Sequence, residues 1–391
     1  MRYFSFIILL LLSFSCTSVS QEKGDTVKVV SDTIISNAND SLLPHRITLL
    51  FAGDLMQHQG QINAARTPAG YDYSDCFKFV KEEISRADIA VANLEVTLGG
   101  KPYRGYPAFS APDEYLSAIR EAGFNVLITA NNHCLDRGKK GLERTILMLD
   151  SLRIPYAGTY TNAETREQRY PLMIEKNGFR IVLLNYTYGT NGLKATSPNI
   201  VNYIDKETMA LDIRKAKALQ PDVLIACIHW GEEYQSLPNR EQTSLADWLL
   251  QQGVTHIIGS HPHVVQPMEL RTDSTVGSQH AVVYSLGNFI SNMSARRTDG
   301  GILFKLELEK DSITRVTNCE YGLVWTSRPV LSRKKNYILY PINYPTDSLS
   351  VIERNHLKIF TKDTRSLFNK HNKGIKAVSY THLRAHETEL H

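Results

Sequence analysis

The feature that most constrains the fold of this chain is a series of short apolar runs that each end in a polar loop. The runs and their loops are ITLLFAGD, IAVANLE, VLITANNH, VLIACIH and HIIGSHPH. They deliver, in chain order, Asp54, Glu95, Asn132, His133, His229, His261 and His263. Because a rigid sheet fixes the loops at its strand ends, such loops are where proteins commonly gather functional side chains.

Stretches with helical periodicity separate these apolar runs. Strands are predicted at residues 47–52, 89–92, 126–129, 180–185, 223–228 and 256–259. Helices are predicted at residues 74–86, 113–122, 140–152, 206–219 and 241–252. After residue 280, AVVYSLGNF and GILFKLELE are adjacent strands without a helix between them. This pattern predicts an α/β layered fold, and the adjacent strands favour a sheet sandwich flanked by helices over a simple Rossmann fold.

The composition is that of an ordinary globular protein. The chain has 391 residues, a net charge of +4 and 42% hydrophobic residues, enough to bury a full core. So slight a charge supplies no electrostatic footprint for nucleic acid, and no nucleic-acid partner is expected. An anionic substrate remains compatible with it, because bound metal ions add local positive charge that the count omits.

The N-terminus is predicted to be a targeting segment. Arg2 precedes an apolar run over residues 4–12, which is too short to span a bilayer but fits a signal segment. LSFSC resembles a bacterial lipoprotein processing site, so residues 1–16 are predicted to be a lipoprotein-type signal with a lipid anchor at Cys16. The alternative is a secreted protein that is cut near Ser20. In either case we expect export to the cell envelope.

Domain boundaries are predicted from changes in composition. Residues 17–45, rich in Ser, Asp, Thr and Asn, are predicted to be a flexible tether. Residues 46–310 form the predicted folded domain, and residues 311–377 a poorly periodic C-terminal extension that we expect to be truncated. Residues 378–391 match one frame of a common sequencing adapter and are interpreted as an assembly artefact, so their histidines are given no role.

Neither the glycine before Asp54 nor the internal cysteines give a strong functional signal. Gly53 is interpreted as permitting a sharp turn. No CxxC pair exists, which argues against a zinc knuckle. Cys134 follows His133 directly, and we favour packing for it over a redox or nucleophilic role. Cys227 lies in an apolar run and is predicted to be a small buried residue.

The histidines suggest metal chemistry. The imidazole of His229 ends a buried run and needs a partner, which is either a metal ion or a backbone carbonyl. His261 and His263 flank Pro262, a spacing that helical amphipathicity does not explain and that suits metal ligands. Nitrogen and oxygen ligands without thiolate leave manganese, iron and zinc open.

Together these groups predict a two-metal hydrolase. In such sites two ions about 3.5–4 Å apart activate a water molecule and stabilise the negative charge that develops. An imidazole that is not a ligand can protonate the leaving oxygen. We assign this role to His133, with Asp136 as its orienting partner.

The motifs GDLM, NLE, GFNVLITANNHCLDRGKKGLERTI, HWGEEY, GSHPHVVQPME and YSLGNF occur in this order. This set resembles the CapA-type poly-γ-glutamate capsule biosynthesis family, over about residues 46–309. That family is similar in turn to calcineurin-like metallophosphoesterases. The resemblance implies a four-layer αββα sandwich and one or two divalent metal ions.

The resemblance also implies roles for individual residues. Its implied metal ligands are Asp54, Glu95 as the bridging acid (with help from Asn93), Asn132, His229, His261 and His263. It also places His133 beside the leaving group. Two departures stand out. The superfamily pattern D-x-H is absent, because Leu55 and Met56 follow Asp54 and His58 comes later. NLE replaces the superfamily pattern GDxxD.

Three hypotheses follow. The first is a surface-tethered, metal-dependent hydrolase of a phosphoester or of a bond in an anionic polymer, with a metal-activated water. The second is a non-catalytic binding, export or anchoring factor for an anionic cell-surface polymer. The third, a structural lipoprotein, ranks lowest because unpaired ionisable groups kept together cost stability. The loop with Lys101, Arg104 and Tyr106 either contacts the substrate or is merely solvated.

Overall fold

A computed structural model of the chain describes residues 44–275 and 277–378. The predicted signal segment, the anchor at Cys16, the tether as far as residue 43 and the adapter-like tail from residue 379 lie outside the described residues. Among the described residues, no helix combines the length and the apolar character that a membrane span requires.

The elements alternate between strands and helices for most of the described chain. The earlier strands are β1 (His45–Leu55), β2 (Arg66–Thr67), β3 (Gly70–Tyr71), β4 (Ile89–Leu94), β5 (Val126–Ile128), β6 (Tyr156–Ala157), β7 (Thr159–Tyr160), β8 (Leu172–Lys176), β9 (Phe179–Thr187) and β10 (Ile200–Val201). The later strands are β11 (Val223–His229), β12 (His256–Ser260), β13 (Met268–Thr272), β14 (Gln279–Val283), β15 (Asn288–Ile290), β16 (Gly300–Lys310), β17 (Thr314–Ser327), β18 (Ile338–Pro341) and β19 (Lys376–Ala377). The helices are α1 (Gln59–Ala65), α2 (Lys81–Ser85), α3 (Asp113–Glu121), α4 (Gly138–Ser151), α5 (Ala163–Arg169), α6 (Lys206–Ala218), α7 (Arg240–Gln251), α8 (Pro329–Ser332) and α9 (Val351–His371), with a 3₁₀ helix at Thr346–Ser348.

Two large sheets organise these strands. The first has the order β18-β17-β16-β1-β4-β5-β6, and its strands β1, β4, β5 and β6 are parallel. The second has the order β13-β14-β12-β11-β9-β8, and its strands β9, β11, β12 and β14 are parallel. Parallel strands are buried on both faces, which is why β11 is a continuous apolar run in the sequence.

The cores show how the layers stack. Alternate residues of a strand point to opposite faces, so each strand contributes to two layers. Phe51 of β1 and Ile225 of β11 belong to the core between the two sheets. Leu50 and Ala226, their neighbours along the chain, belong to a core that includes the apolar faces of α3, α4, α6 and α7. The predicted α/β class and the four-layer αββα sandwich are confirmed.

The helix predicted at residues 74–86 is mostly absent. Only α2 forms, and the residues before it make successive turns. Asp72 Oδ1 accepts a hydrogen bond from Ser74 N, and Leu339 N donates to Cys76 O at 2.9 Å. The tertiary bond to Cys76 takes a carbonyl that a continuous helix would use.

The segment after residue 310 is integral to the first sheet. Lys310 of β16 faces Thr314 of β17 across a hairpin, and the two strands pair from there to Gly300 and Trp325. Leu357, Phe360 and Phe368 of α9 pack into the core between the sheets. Residues 311–377 therefore complete the sheet and core of residues 46–310.

Candidate metal centre

Parallel strands bring the polar loops to one edge of each sheet. Asp54 lies near the end of β1 and Glu95 directly follows β4, its neighbour in the first sheet. His229 ends β11 and His261 directly follows β12, its neighbour in the second sheet. The carboxyl ends of these parallel strands meet, and every one of these side chains is buried.

Two groups of three side chains have the proximity that metal binding requires. Glu95, His229 and His261 form one group, and Asp54, Glu95 and His263 form the other. Within each group the potential ligand atoms lie within 4.8 Å of one another. The carboxylate of Glu95 belongs to both groups.

Asn132 completes the group around His229. Its Oδ1 lies 2.9 Å from His229 Nε2, and Glu95 Oε1 lies 3.6 Å from the same nitrogen. The other ring nitrogen, Nδ1, lies 3.1 Å from Ser260 Oγ. Burial, with a smaller contribution from His261 and His263, lowers the pKa of His229, so the imidazole is neutral. A neutral imidazole has the lone pair that a metal ion needs.

His263 is oriented by Asn288 and Asp54. Its Nδ1 lies 3.0 Å from Asn288 Oδ1 and 3.4 Å from Asp54 Oδ2. Asn288 Nδ2 donates to Thr298 O, which fixes the amide with its oxygen towards His263. Burial alone would lower the pKa of His263, but the nearby Asp54 carboxylate outweighs burial and raises the pKa.

The backbone of the GSHPH loop is strained. His261 has a backbone φ of 102° and His263 a φ of 58°, in a region that residues other than glycine seldom adopt. Each such residue costs on the order of 1–3 kcal/mol, and strain of this kind concentrates at functional sites. Tyr234 N donates to Pro262 O at 2.8 Å and so holds the loop between the two histidines.

Several ligand atoms have no hydrogen-bond partner within the described residues. They are Asp54 Oδ2, both carboxylate oxygens of Glu95, and His261 Nδ1. Buried polar atoms normally have a hydrogen-bond partner, so these four atoms require one. Burial, then the charge of Asp54, raises the pKa of Glu95, and burial lowers that of His261 to about 3. Carboxylate oxygens beside neutral imidazoles fit a divalent cation.

His133 and Asp136 form a separate pair beside these groups. Asp136 Oδ2 lies 2.8 Å from His133 Nδ1 and accepts a hydrogen bond from Phe109 N at 2.9 Å. The ring of Phe109 packs edge-on against His133 with 4.6 Å between centroids. The pair therefore fixes the orientation of an imidazole that belongs to neither ligand group.

Residues 48–293 match the family model for the bacterial capsule synthesis protein PGA_cap. The chain belongs to this family. It is 28% identical over 279 residues to the capsule biosynthesis protein CapA of Bacillus anthracis, covering 67% of this chain and 64% of that protein. It is 26% identical over 318 residues to the PGA biosynthesis protein CapA of Bacillus subtilis (strain 168), covering 79% and 77%. The predicted family resemblance is confirmed.

Solved structures that align with this chain include nucleotidases. The NAD nucleotidase NadN of Haemophilus influenzae aligns with a TM-score of 0.45 at 11% identity, covering 86% of this chain and 65% of that chain. The 5′-nucleotidase of Candida albicans aligns with a TM-score of 0.38 at 12% identity, covering 83% and 59%. The assignment of the αββα sandwich rests on the sheet order and the two cores.

In this PGA_cap family member, the structure brings together all eight site residues that were predicted from the sequence. It adds supporting residues that the sequence analysis gave no role. Asn131 Nδ2 donates to Leu94 O at 2.8 Å. Ser260 contacts His229, and Asn288 contacts His263. The sequence could have indicated these three residues, because they lie in the motifs ANNH, GSHPH and YSLGNF. Asn93 of the NLE motif donates to Asp54 Oδ1 at 2.8 Å.

Cys134 and His58 lie close to the centre but outside its ligand groups. Burial raises the pKa of the Cys134 thiol to about 12, so it is a neutral packing residue, as we favoured. His58 packs edge-on against Phe109 with 5.2 Å between centroids. Burial lowers the pKa of His58 to about 4. Tyr106, in the loop that includes Lys101 and Arg104, is 73% exposed and lies 6.2 Å from Phe109.

Proposed function

We propose that this PGA_cap family protein is a metal-dependent hydrolase of the phosphoesterase type. Its substrate would be a phosphoester or a bond in an anionic cell-surface polymer such as poly-γ-glutamate. The observation that carries the proposal is the set of buried, unpartnered carboxylate oxygens on Asp54 and Glu95 beside neutral imidazoles. One or two divalent ions, of manganese, iron or zinc, would be held by Asp54, Glu95, Asn132, His229, His261 and His263.

Such ions supply charge that lowers the pKa of a water molecule and polarises a phosphoryl oxygen. The chain itself supplies orientation and proton transfer. Asp136 holds His133 Nδ1, which leaves Nε2 of that ring as the atom that can give a proton to a leaving oxygen. Asn191 accepts a hydrogen bond from Asn132 Nδ2 at 3.3 Å and so turns Asn132 Oδ1 towards His229.

A second candidate is a binding, export or anchoring factor for an anionic polymer. It is favoured by Met56, which is buried where the superfamily pattern has a histidine. The group around Asp54 then has His263 as its one imidazole. For either candidate we propose an exported protein, held at the membrane by a lipid on Cys16.

The test combines metal analysis with two phosphodiesters that differ in their leaving group. We expect turnover to require added Mn²⁺ or Zn²⁺, and Glu95→Gln to lose both bound metal and turnover. His133→Ala should retain metal yet lower turnover by about a hundredfold or more for an alkyl leaving group, which needs a proton. For p-nitrophenolate, which leaves without one, the loss should be much smaller.

Other outcomes decide between the candidates. Bound metal with no turnover of either ester, alongside retained binding of the polymer, would favour the second candidate. Absence of bound metal in the unmodified protein would contradict the metal centre itself. Equal losses for both leaving groups would remove His133 from its proposed role.

A further inference from the structure

A cleft of about 640 Å³ lies beside the metal centre, where α6 and α7 begin. Tyr188, Trp230, Lys206, Arg240 and Leu245 are among its lining residues. It contains none of the proposed metal ligands and none of the residues assigned to proton transfer.

Tyr188 joins the cleft to the centre. Its backbone N donates to His229 O at 3.0 Å, and its ring lies 4.5 Å from that of His261. The side chain is 47% exposed and also lines the cleft. Trp230 follows His229 directly and lines the same cleft, so the cleft begins next to the centre.

The cleft presents positive charge. Lys206 and Arg240 are both exposed, and within the part of the chain that the structure describes neither has an ion-pair partner. The Lys206 Nζ lies 5.5 Å from the Trp248 ring. Glu241 also lines the cleft, and its negative charge leaves the lining with a net charge of +1. The first-turn amides are already capped by Asp205 and Asn239, so this charge resides on the side chains.

Apolar side chains also line the cleft, and among them Tyr188 is exposed and Ile204 is half-buried. Trp230 is 2% exposed, with its indole N–H donating to Tyr284 O at 2.8 Å, and Leu245 is 7% exposed. Exposed apolar side chains suit methylene groups, whereas ammonium and guanidinium groups suit carboxylates. A polymer that combines a methylene-rich backbone with regularly spaced carboxylates matches both.

We propose that this cleft is a binding subsite for an anionic polycarboxylate chain, next to the bond that the metal centre acts on. Carboxylates contact Lys206 and Arg240, methylene groups lie on Ile204 and Tyr188, and Tyr188 marks the passage to the centre. The proposal rests on the proposed function for its position relative to a reacting bond. Binding of the polymer in the cleft is a separate property that can be measured by itself.

The test uses the full chain and a fluorescent γ-linked glutamate oligomer. In Lys206→Ala/Arg240→Ala we expect the oligomer Kd, measured by anisotropy, to weaken by about tenfold or more, since two charge-assisted contacts are lost. The salt dependence of binding should also decrease. Turnover of a small phosphodiester should change by no more than about twofold, because neither residue reaches the metal centre.

Arg214→Ala/Lys217→Ala is the matched control. It removes one arginine and one lysine from exposed positions of α6, about 12 and 16 Å along the helix from Lys206. We expect it to leave oligomer binding within about twofold. An equal loss in this control, or no oligomer binding by the unmodified protein, would overturn the proposal.

The small phosphodiester separates the two proposals. If it is not hydrolysed but oligomer binding is lost in the cleft variant alone, the hydrolase proposal fails and the subsite stands. If it is hydrolysed and the cleft variant binds the oligomer normally, the subsite fails and the hydrolase stands. An oligomer with amidated carboxyl groups should bind about tenfold more weakly than the acid form, since it lacks the charge.

Discussion

At His263, burial and the Asp54 carboxylate act on one imidazole in opposite directions, and the carboxylate prevails. His256 shows what burial does without such a partner. It lies in β12, and its Nδ1 accepts a hydrogen bond from Ala281 N at 3.0 Å. Burial, with a small contribution from His280, lowers the pKa of His256 from 6.5 to about 3. This histidine is structural, although it precedes the GSHPH loop by only a few residues.

His256 predicts a loss of stability in acid. The unfolded chain binds a proton below about pH 6.5 that the folded chain rejects, so stability is complete above that pH and declines as the pH falls. Between pH 7 and pH 5, His256 should lower the free energy of unfolding by about 2 kcal/mol, because each pKa unit is worth about 1.4 kcal/mol. Urea unfolding at both pH values should therefore show a smaller decline in His256→Gln. The same decline in both proteins would contradict this assignment.

At the scale of elements, β1 lies unusually close to the turn before β15. Asp54 N donates to Gly287 O at 3.0 Å, and Asp54 pairs with Asn288 in the strand register. A Cβ at Gly53 would lie 1.9 Å from Gly287 O. The sequence analysis attributed Gly53 to a sharp turn, which is wrong, because Gly53 lies within β1. A glycine is needed at position 53 so that β1 can approach the backbone at Gly287, and this approach places Asp54 beside His263.

Gly53→Ala should force these two segments apart. We expect the free energy of unfolding to fall by about 2–3 kcal/mol, the cost of overpacking a rigid backbone contact. Metal content should fall as well, since Asp54 is the next residue. Gly189→Ala is the control, because a Cβ there meets nothing within 4 Å. It should stay within about 0.5 kcal/mol of the unmodified protein in urea unfolding.

The elements that were predictable are those with strong local signals. The apolar runs that became β1, β4, β5, β9, β11 and β12 are buried on both faces, so periodicity was not needed to find them. Helix α9 was missed although Ser350 and Glu353 form a capping box at its start. The first part of β17 was missed because its alternating, half-exposed residues resemble a polar loop until β16 pairs with them.

Across the whole molecule, stability depends on residues beyond the family match. Strand β17 pairs with β16, which in turn pairs with β1 and so supports the strand that carries Asp54. Phe304 of β16 and Phe360 of α9 are both fully buried between the sheets.

A chain truncated after Lys310 should therefore fail to fold cooperatively. It would expose the edge of β16 that pairs with β17 and the apolar core side chains that α9 covers. Burial of one large apolar side chain is worth about 1.5–3 kcal/mol. The measurement is urea unfolding followed by far-UV circular dichroism, with a chain ending at Val378 as the control. A sharp transition in the shorter chain would show that residues 46–310 fold independently.

The candidate site was predictable because parallel strands share a carboxyl edge, so Asp54, Glu95 and His229 could be grouped from order alone. Distances between the two sheets were not predictable. They decide that Glu95 belongs to both ligand groups and that Asn288 contacts His263. The cleft at Lys206 and Arg240 also escaped sequence analysis, because it depends on how the starts of two helices lie side by side.

Every side chain assigned to the metal centre precedes residue 293, whereas the strands that complete the first sheet follow it. The stretch of coding sequence after residue 293 thus contributes scaffold and none of these side chains. A substitution there can reach the centre only through the scaffold, either by weakening the sheet that supports β1 or by moving a backbone contact such as Thr298 O at Asn288.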